Sequence, residues 1–356
     1  MKNEKIKDKL HSLYIEITSL CNLYCKYCYN DSGTKKVNIL SVNDINNIIS
    51  DAKNNLNLKE IVLSGGEPLL HPNIVEICEI IFSNNLNLKI NTNGTKIDKE
   101  LLERIKHTNP IFQITIDSHD EKVNDQYRGE GSFRAINKGL EAILKYYDIE
   151  RTIIRCNLNF EFINNDESIY RYASYLSSKG IRFAYLSLIT CQGRAQLCTY
   201  PNRLNDHMKI VRLRYILEKS LRDNNIEIVL PSAAVCQACP YANVEKYQFF
   251  YMLHISSIGN VYPCSGLLSD KYILENIKKE SITNICFGKE MDDFIVSAGE
   301  RIKKIPECDG CIFRGFCGKG CIAECEANNG FYSTDGQCSL RKDEIKKILN
   351  EQVRAI

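Results

Sequence analysis

Long apolar runs are what the sequence has least of. Its opening stretch, MKNEKIKDKLHSLYIEI, is charged where a secretory signal would be apolar, and no later segment reaches the roughly 18 consecutive apolar residues of a membrane span. A surplus of one charge sign is also missing. The 46 Lys and Arg nearly balance the 44 Asp and Glu, leaving +2, and the two signs are interspersed. That balance argues against nucleic acid or an anionic membrane as the defining partner. There are no internal repeats and no low-complexity segment, and the absence of tryptophan excludes nothing. A cytoplasmic protein is expected, in a compartment where thiols stay reduced and a disulfide framework is disfavoured.

What is present in quantity is cysteine, 17 in 356 residues. In a reducing compartment that number points to metal ligation. The length exceeds what a single hydrophobic core usually fills, so one large and one small domain are expected. From Leu13 to Leu188 short β-branched runs alternate with helical patterns, as parallel βα units do. The pattern predicts strands at Leu13–Thr18, Glu60–Leu63, Lys89–Thr92, Phe112–Asp117, Thr152–Leu158 and Arg182–Leu188. Between them it predicts helices at Val42–Lys53, Asn73–Ser83, Lys99–Lys106, Phe133–Tyr146 and Ser168–Lys179. The fold class is α/β, a partial (β/α)6 TIM-like barrel followed by a small cysteine-rich domain. In such sheets the reactive residues gather at the C-terminal ends of the strands. A long helix over Leu204–Asn224 leaves the barrel, and beyond Pro231 the alternation stops and cysteines crowd in. The expected boundaries are 1–12 for an N-terminal extension, 13–195 for the barrel, 196–235 for a linking helix, 236–340 for the cysteine-rich domain and 341–356 for a charged C-terminal helix.

Directly after the first strand comes Cys21-Asn22-Leu23-Tyr24-Cys25-Lys26-Tyr27-Cys28. Thiolates in a short loop suit iron–sulfur or zinc. A structural zinc site needs a closed set of four ligands, and no His or fourth Cys lies near. Three thiolates on a four-iron cluster instead leave one iron open. With Tyr27 as the aromatic, the motif resembles the radical S-adenosylmethionine (SAM) signature. The end of the second strand carries Ser64-Gly65-Gly66-Glu67-Pro68, similar to the family's GGE turn, whose glycines let backbone approach the methionine part of SAM. The resemblance further implies that Asn93 and Asp117, at later strand ends, reach the ribose, and that Arg128 stands near the SAM carboxylate. Taken singly, such a turn is more often only a turn, and Asp117 could cap a helix. What the family implies is a 4Fe–4S cluster that binds SAM at the open iron and cleaves it to a 5′-deoxyadenosyl radical, with Cys21, Cys25 and Cys28 as the catalytic ligands.

The later cysteines are Cys308-Asp-Gly-Cys311, Cys317, Cys321 and Cys338, preceded by Gly259-Asn-Val-Tyr-Pro-Cys264 and by Cys236-Gln-Ala-Cys239. A zinc ribbon is the alternative for paired CxxC elements, but the spacing resembles the SPASM domain found behind some radical SAM barrels. That resemblance implies two auxiliary 4Fe–4S clusters, the outer on Cys308, Cys311, Cys317 and Cys338, the inner on Cys264 and Cys321 with Cys236 and Cys239. The chain departs from the pattern before Gly259, where no cysteine falls at the expected distance upstream. Of the remaining six, Cys78 and Cys286 sit in apolar runs and read as core. Cys191, before Gly193-Arg194-Ala195, faces the active edge.

Proteins with this double signature commonly modify peptides. The expected function is hydrogen abstraction from a ribosomally made precursor peptide, leading to a crosslink or an oxidative maturation. The alternatives are a small-molecule or porphyrin substrate, an anaerobic sulfatase maturase, and a non-catalytic electron carrier. Sulfatase-maturing members generally carry Asp after the cysteine that here is Cys264, and this chain has Ser265. No winged-helix recognition module precedes the barrel, so a separate peptide-recognition protein is an expected partner, together with a reductant such as flavodoxin or ferredoxin. Because Cys236 and Cys239 are spaced to reach one cluster from a single turn, Cys236→Ala and Cys239→Ala should each destabilise the inner cluster while SAM cleavage persists. Unchanged iron content and an unchanged inner-cluster spectrum in either variant would remove that cysteine from the ligand set.

Overall fold

A computed structural model of the chain describes residues 10–33, 37–157, 165–187, 189, 192–197, 207–229, 241, 251–314, 317, 320–336, 338, 339, 341, 342, 345, 346 and 350. The expected ligands Cys236 and Cys239, the thiols Cys191 and Cys198, and most of the expected C-terminal helix lie outside the described residues.

Strands and helices alternate as β1 (Leu10–Thr18), α1 (Val42–Asn55), β2 (Glu60–Gly65), α2 (Ile74–Ser83), β3 (Asn87–Thr92), α3 (Lys99–Ile105) and β4 (Ile111–Thr115). They continue with α4 (Glu121–Arg128), α5 (Ser132–Tyr146), β5 (Thr152–Asn157), α6 (Asp166–Ser178), β6 (Phe183–Ser187), α7 (His207–Asp223) and β7 (Glu227–Ile228). The helices form where their caps and apolar spacing dictate. Ser41 and Asp44 close a reciprocal capping box at the start of α1, whose Ile45, Ile48, Ile49 and Ala52 make one buried face. Strand alternation sends Leu13, Ile15 and Ile17 of β1 into the apolar core and Ser12, Tyr14 and Glu16 to the other face.

With β8 (Tyr251–Ile255), β9 (Asn260–Tyr262) and β10 (Glu275–Asn276) added, the sheet runs in the order β10-β9-β8-β1-β2-β3-β4-β5-β6-β7, parallel from β1 to β7. This is the expected α/β partial barrel, with its helices on the outer face. The parallel sheet does not end near Pro231, however. Strand β8 lies parallel on the free edge of β1, with Tyr14 opposite His254, and β9 and β10 extend it antiparallel. A strand whose partner lies at the other end of the chain leaves no local period. Two longer helices were also not expected, and each buries a charged side chain. Helix α4 turns Asn124, Tyr127 and Arg128 inward, and α9 (Lys289–Lys304) buries Arg301 beside Met291, Phe294 and Ala298. Two short helices complete the second unit, α8 (Ile282–Cys286) and α10 (Ile322–Asn328). Among the described residues no helix is long and apolar enough to cross a membrane.

Helix α5 lies close on the turn after β3. A Cβ on Gly139 would stand 2.0 Å from the Gly94 carbonyl oxygen, so backbone, not a movable side chain, opposes it. Gly139→Ala should therefore lower stability by about 1–3 kcal/mol, read as a reduced urea midpoint with unchanged slope. An unchanged midpoint would show that the turn yields freely.

Candidate active site

The three N-terminal cysteines sit on an irregular loop at the C-terminal end of β1, and the neighbouring strand ends hold that loop in place. The Gly66 N–H donates to the Thr18 carbonyl and the Glu67 N–H to that of Leu20, each at 2.8 Å. The approach is too close for any side chain. A Cβ on Gly65 (φ +124°) would lie 2.1 Å from the Thr18 oxygen, and one on Gly66 2.2 Å from that of Leu20. The paired glycines are thus required by the cysteine loop itself, a reason that the family resemblance did not supply.

Glu67 is fully buried and ties the second strand end to the third. One carboxylate oxygen accepts from the Leu69 N–H (3.1 Å) and the Thr92 hydroxyl (2.7 Å), the other from the Asn93 N–H (2.7 Å). Burial raises its pKa, and these hydrogen bonds oppose the rise. The Asn93 amide in turn donates to Asn22 at 3.1 Å and approaches the Cys21 sulfur at 3.9 Å, while Asn22 donates to Thr95 at 2.8 Å. The cysteine loop and the β3 turn are stitched together by side chains. Ser64 points to the inner face, where its hydroxyl is 2.7 Å from that of Tyr14.

On the other side of the loop, Tyr27 donates to the Asp117 carboxylate. Arg128 donates to the Tyr27 hydroxyl at 2.8 Å and stands 3.5 Å from Asp117, and Asn157 donates to the second Asp117 oxygen at 3.0 Å. Arg128 and Asp117 are buried, and desolvation pushes the Tyr27 hydroxyl well above its ordinary range. The Arg128 Nε has no hydrogen-bond partner among the described residues. A buried, unsatisfied guanidinium nitrogen beside the cysteine loop suits a ligand anion. The turn after β6 closes the ring, with the Arg194 N–H donating to the Cys28 carbonyl at 2.9 Å. Asn22, Asn157, Gly193 and Arg194 were not singled out as site residues from the sequence. Only the Gly-Arg pair at a strand end could have flagged the last two.

Burial pushes the Cys21 thiol up to about 11 and raises that of Cys25, against the opposing pull of Arg128 and Arg194 on Cys25. Among the described residues, no three His, Cys, Asp or Glu side chains converge on a single ion position. The donor set is three soft thiols on one short loop, the kind of ligand that iron–sulfur clusters take. At the C-terminal end burial raises Cys308, and the nearby Cys338, Cys317 and Cys311 raise it further, so these three thiols lie within electrostatic reach of Cys308. A Cβ on Gly266 would meet the Ala323 methyl at 2.6 Å and the Cys264 sulfur at 3.9 Å, which puts the Cys264 loop against the helix that Cys321 opens. Cys78, Cys156, Cys286 and Cys325 are buried. Cys325 accepts from Arg301 at 3.0 Å.

Comparison with known proteins follows the same division. Residues 15–167 match the radical SAM superfamily and residues 247–312 an iron–sulfur cluster-binding domain, SPASM. The chain is 25% identical over 343 residues, 94% of its length, to the antilisterial bacteriocin subtilosin biosynthesis protein AlbA of Bacillus subtilis, 72% of which is covered. It is 24% identical over 349 residues to a cysteine-type anaerobic sulfatase-maturating enzyme of Clostridium novyi, with 87% of each chain covered. Its match to mycofactocin maturase MftC of Mycobacterium ulcerans is 32% over 127 residues, about a third of each protein (35% and 34%). Native anSMEcpe with bound AdoMet shares the fold at TM-score 0.74 and 19% identity, covering 97% of this chain and 98% of that one. Streptococcus suis SuiB bound to S-adenosylmethionine shares it at 0.70 and 16%, covering 94% and 78%.

Glu67→Gln tests the stitching directly. An amide in place of the carboxylate turns an NH2 toward one of three fixed donors, so stability should fall by about 1–3 kcal/mol, measured by chemical denaturation. A change within about 0.5 kcal/mol would show that the turn is held by its backbone bonds alone.

Proposed function

The chain carries a radical SAM domain and a SPASM domain, and from that premise we propose that it cleaves SAM reductively and abstracts hydrogen from a ribosomally made precursor peptide, to crosslink it or mature it oxidatively. The observation that carries the reading is the cysteine loop. It offers three soft thiols on one short loop, beside a buried guanidinium whose Nε has no partner among the described residues. When bound, the 4Fe–4S cluster supplies the electron that splits SAM into methionine and a 5′-deoxyadenosyl radical.

In this reading Cys21, Cys25 and Cys28 hold the cluster and leave one iron for SAM. The Ser64-Gly65-Gly66-Glu67 turn receives the methionine end, and Tyr27 holds Asp117 and Arg128 in position. Asn93 and Asp117 serve the ribose, and Arg128 takes the carboxylate through its free Nε. The domain over 236–340 holds two auxiliary clusters, the outer on Cys308, Cys311, Cys317 and Cys338, the inner on Cys236, Cys239, Cys264 and Cys321. The enzyme works in the cytoplasm with a flavodoxin- or ferredoxin-like reductant and a separate peptide-recognition protein. Support for a peptide substrate comes from the likeness to AlbA along 94% of the chain. The Clostridium novyi sulfatase-maturating relative, matched over 87% of both chains, favours a second reading. Ser265, where such members carry Asp, argues against it.

Anaerobically prepared protein with a strong reductant should convert SAM to 5′-deoxyadenosine without substrate, and replacing Cys21, Cys25 and Cys28 together by Ala should abolish that product. The wild type should bind about 12 iron per chain and the triple variant about eight. Product that persists in the triple variant, or tightly bound zinc with little iron, would overturn the reading.

A further inference from the structure

The turn after β6 touches both ligand-bearing loops. Gln192 donates through Nε2 to the Gly266 carbonyl, just past Cys264, at 2.6 Å. Two residues on, Arg194 grips the N-terminal cysteine loop at several points. Its N–H donates to the Cys28 carbonyl, its Nε to that of Cys25 and its Nη1 to that of Ser32, each at 2.9 Å, and Nη1 also reaches Asp31 at 2.7 Å. The guanidinium lies 3.8 Å from the centroid of the Tyr24 ring. Between the two contacts, Gly193 (φ +55°) runs so close that a Cβ would stand 2.4 Å from the Tyr29 oxygen and 2.5 Å from that of Cys28.

An irregular loop that presents three thiols leaves its carbonyls without strand or helix partners, and buried carbonyls must be paired. A planar fork can satisfy several at fixed angles, which a lysine cannot. The fork also brings a permanent charge. Arg194 is 7% exposed at its side chain while its partner Asp31 is 53% exposed, so water screens the compensating carboxylate more than the cation. A cluster gains negative charge on reduction, and a fixed cation nearby favours the reduced state.

We propose that Arg194 is a positioning residue of the catalytic centre: it fixes the cysteine loop and raises the potential of the cluster held there, while Gln192 keeps the same turn on the Cys264 loop. This rests on the assignment of Cys21, Cys25 and Cys28 as cluster ligands.

The test uses the iron-loaded, full-length protein. Midpoint potential is read by EPR-monitored titration, and hydrogen exchange is followed over residues 21–33. Arg194→Gln should shift the catalytic cluster to a more negative potential and speed exchange in 21–33 but not in β1. Loss of about four iron with the auxiliary iron retained would equally support the role. Arg194→Lys keeps the charge and loses the fork, so it should hold a potential near wild type while exchange rises, and it decides the matter if the Gln variant does not fold. Wild-type potential and exchange in Arg194→Gln would overturn the proposal, as would a Lys variant shifted as far as Gln. Failure of the underlying assignment would look different, as iron content that stays at the wild-type level when Cys21, Cys25 and Cys28 are replaced.

Discussion

Three thiols have to be presented by a stretch of chain that has no secondary structure of its own, and the close contact between two backbones makes this possible. The Gly65-Gly66 turn at the end of β2 lies directly on Thr18–Leu20 at the end of β1, with two 2.8 Å hydrogen bonds and no room for a Cβ. From that contact the other restraints follow. Glu67 carries the order on to Thr92 and Asn93, and Asn93 returns it to Asn22 beside Cys21. The parallel sheet is what brings these turns together, because its strand ends share one edge. The apolar core beneath supplies rigidity, and the edge supplies chemistry.

Strand β1 also joins the two halves of the molecule. Its helix-facing side packs in the core, while its inner side carries Tyr14 and Glu16 toward β8. There Tyr14 stacks on His254 with ring centroids 5.0 Å apart, and the His254 Nε2 stands 3.2 Å from Glu16. The Tyr29 hydroxyl, one residue past Cys28, reaches the same carboxylate at 3.2 Å. Strand β8 is thus registered against the strand that begins the barrel, and the N-terminal cysteine loop leans on the Glu16 carboxylate between them. The Gln192–Gly266 bond adds a further tie across the two units.

What the sequence disclosed divides along the range of the interactions. The placing of the Cys21, Cys25 and Cys28 loop at the end of β1, of the glycine turn at the end of β2, and the six barrel strands were legible because motif spacing and hydrophobic period are local. Helix α4 was read only as a segment carrying Arg128, because its buried face of Asn124, Tyr127 and Arg128 has no apolar rhythm. The pairing of β8 with β1 and the grip of Arg194 on Cys25 and Ser32 depend on contacts between distant segments. Neither leaves a local mark. The glycines were read for the right flexibility with an incomplete cause, since the partner that forbids their side chains is the Thr18–Leu20 backbone.

The central claim is that the Cys21, Cys25 and Cys28 loop holds a cluster with one iron open to SAM. The most direct measurement is EPR of the chemically reduced protein before and after addition of SAM, with the triple alanine variant as reference. SAM should change the signal of one cluster, and this signal alone should be missing from the variant. A spectrum that SAM leaves untouched, or a SAM-sensitive signal that survives in the variant, would contradict it.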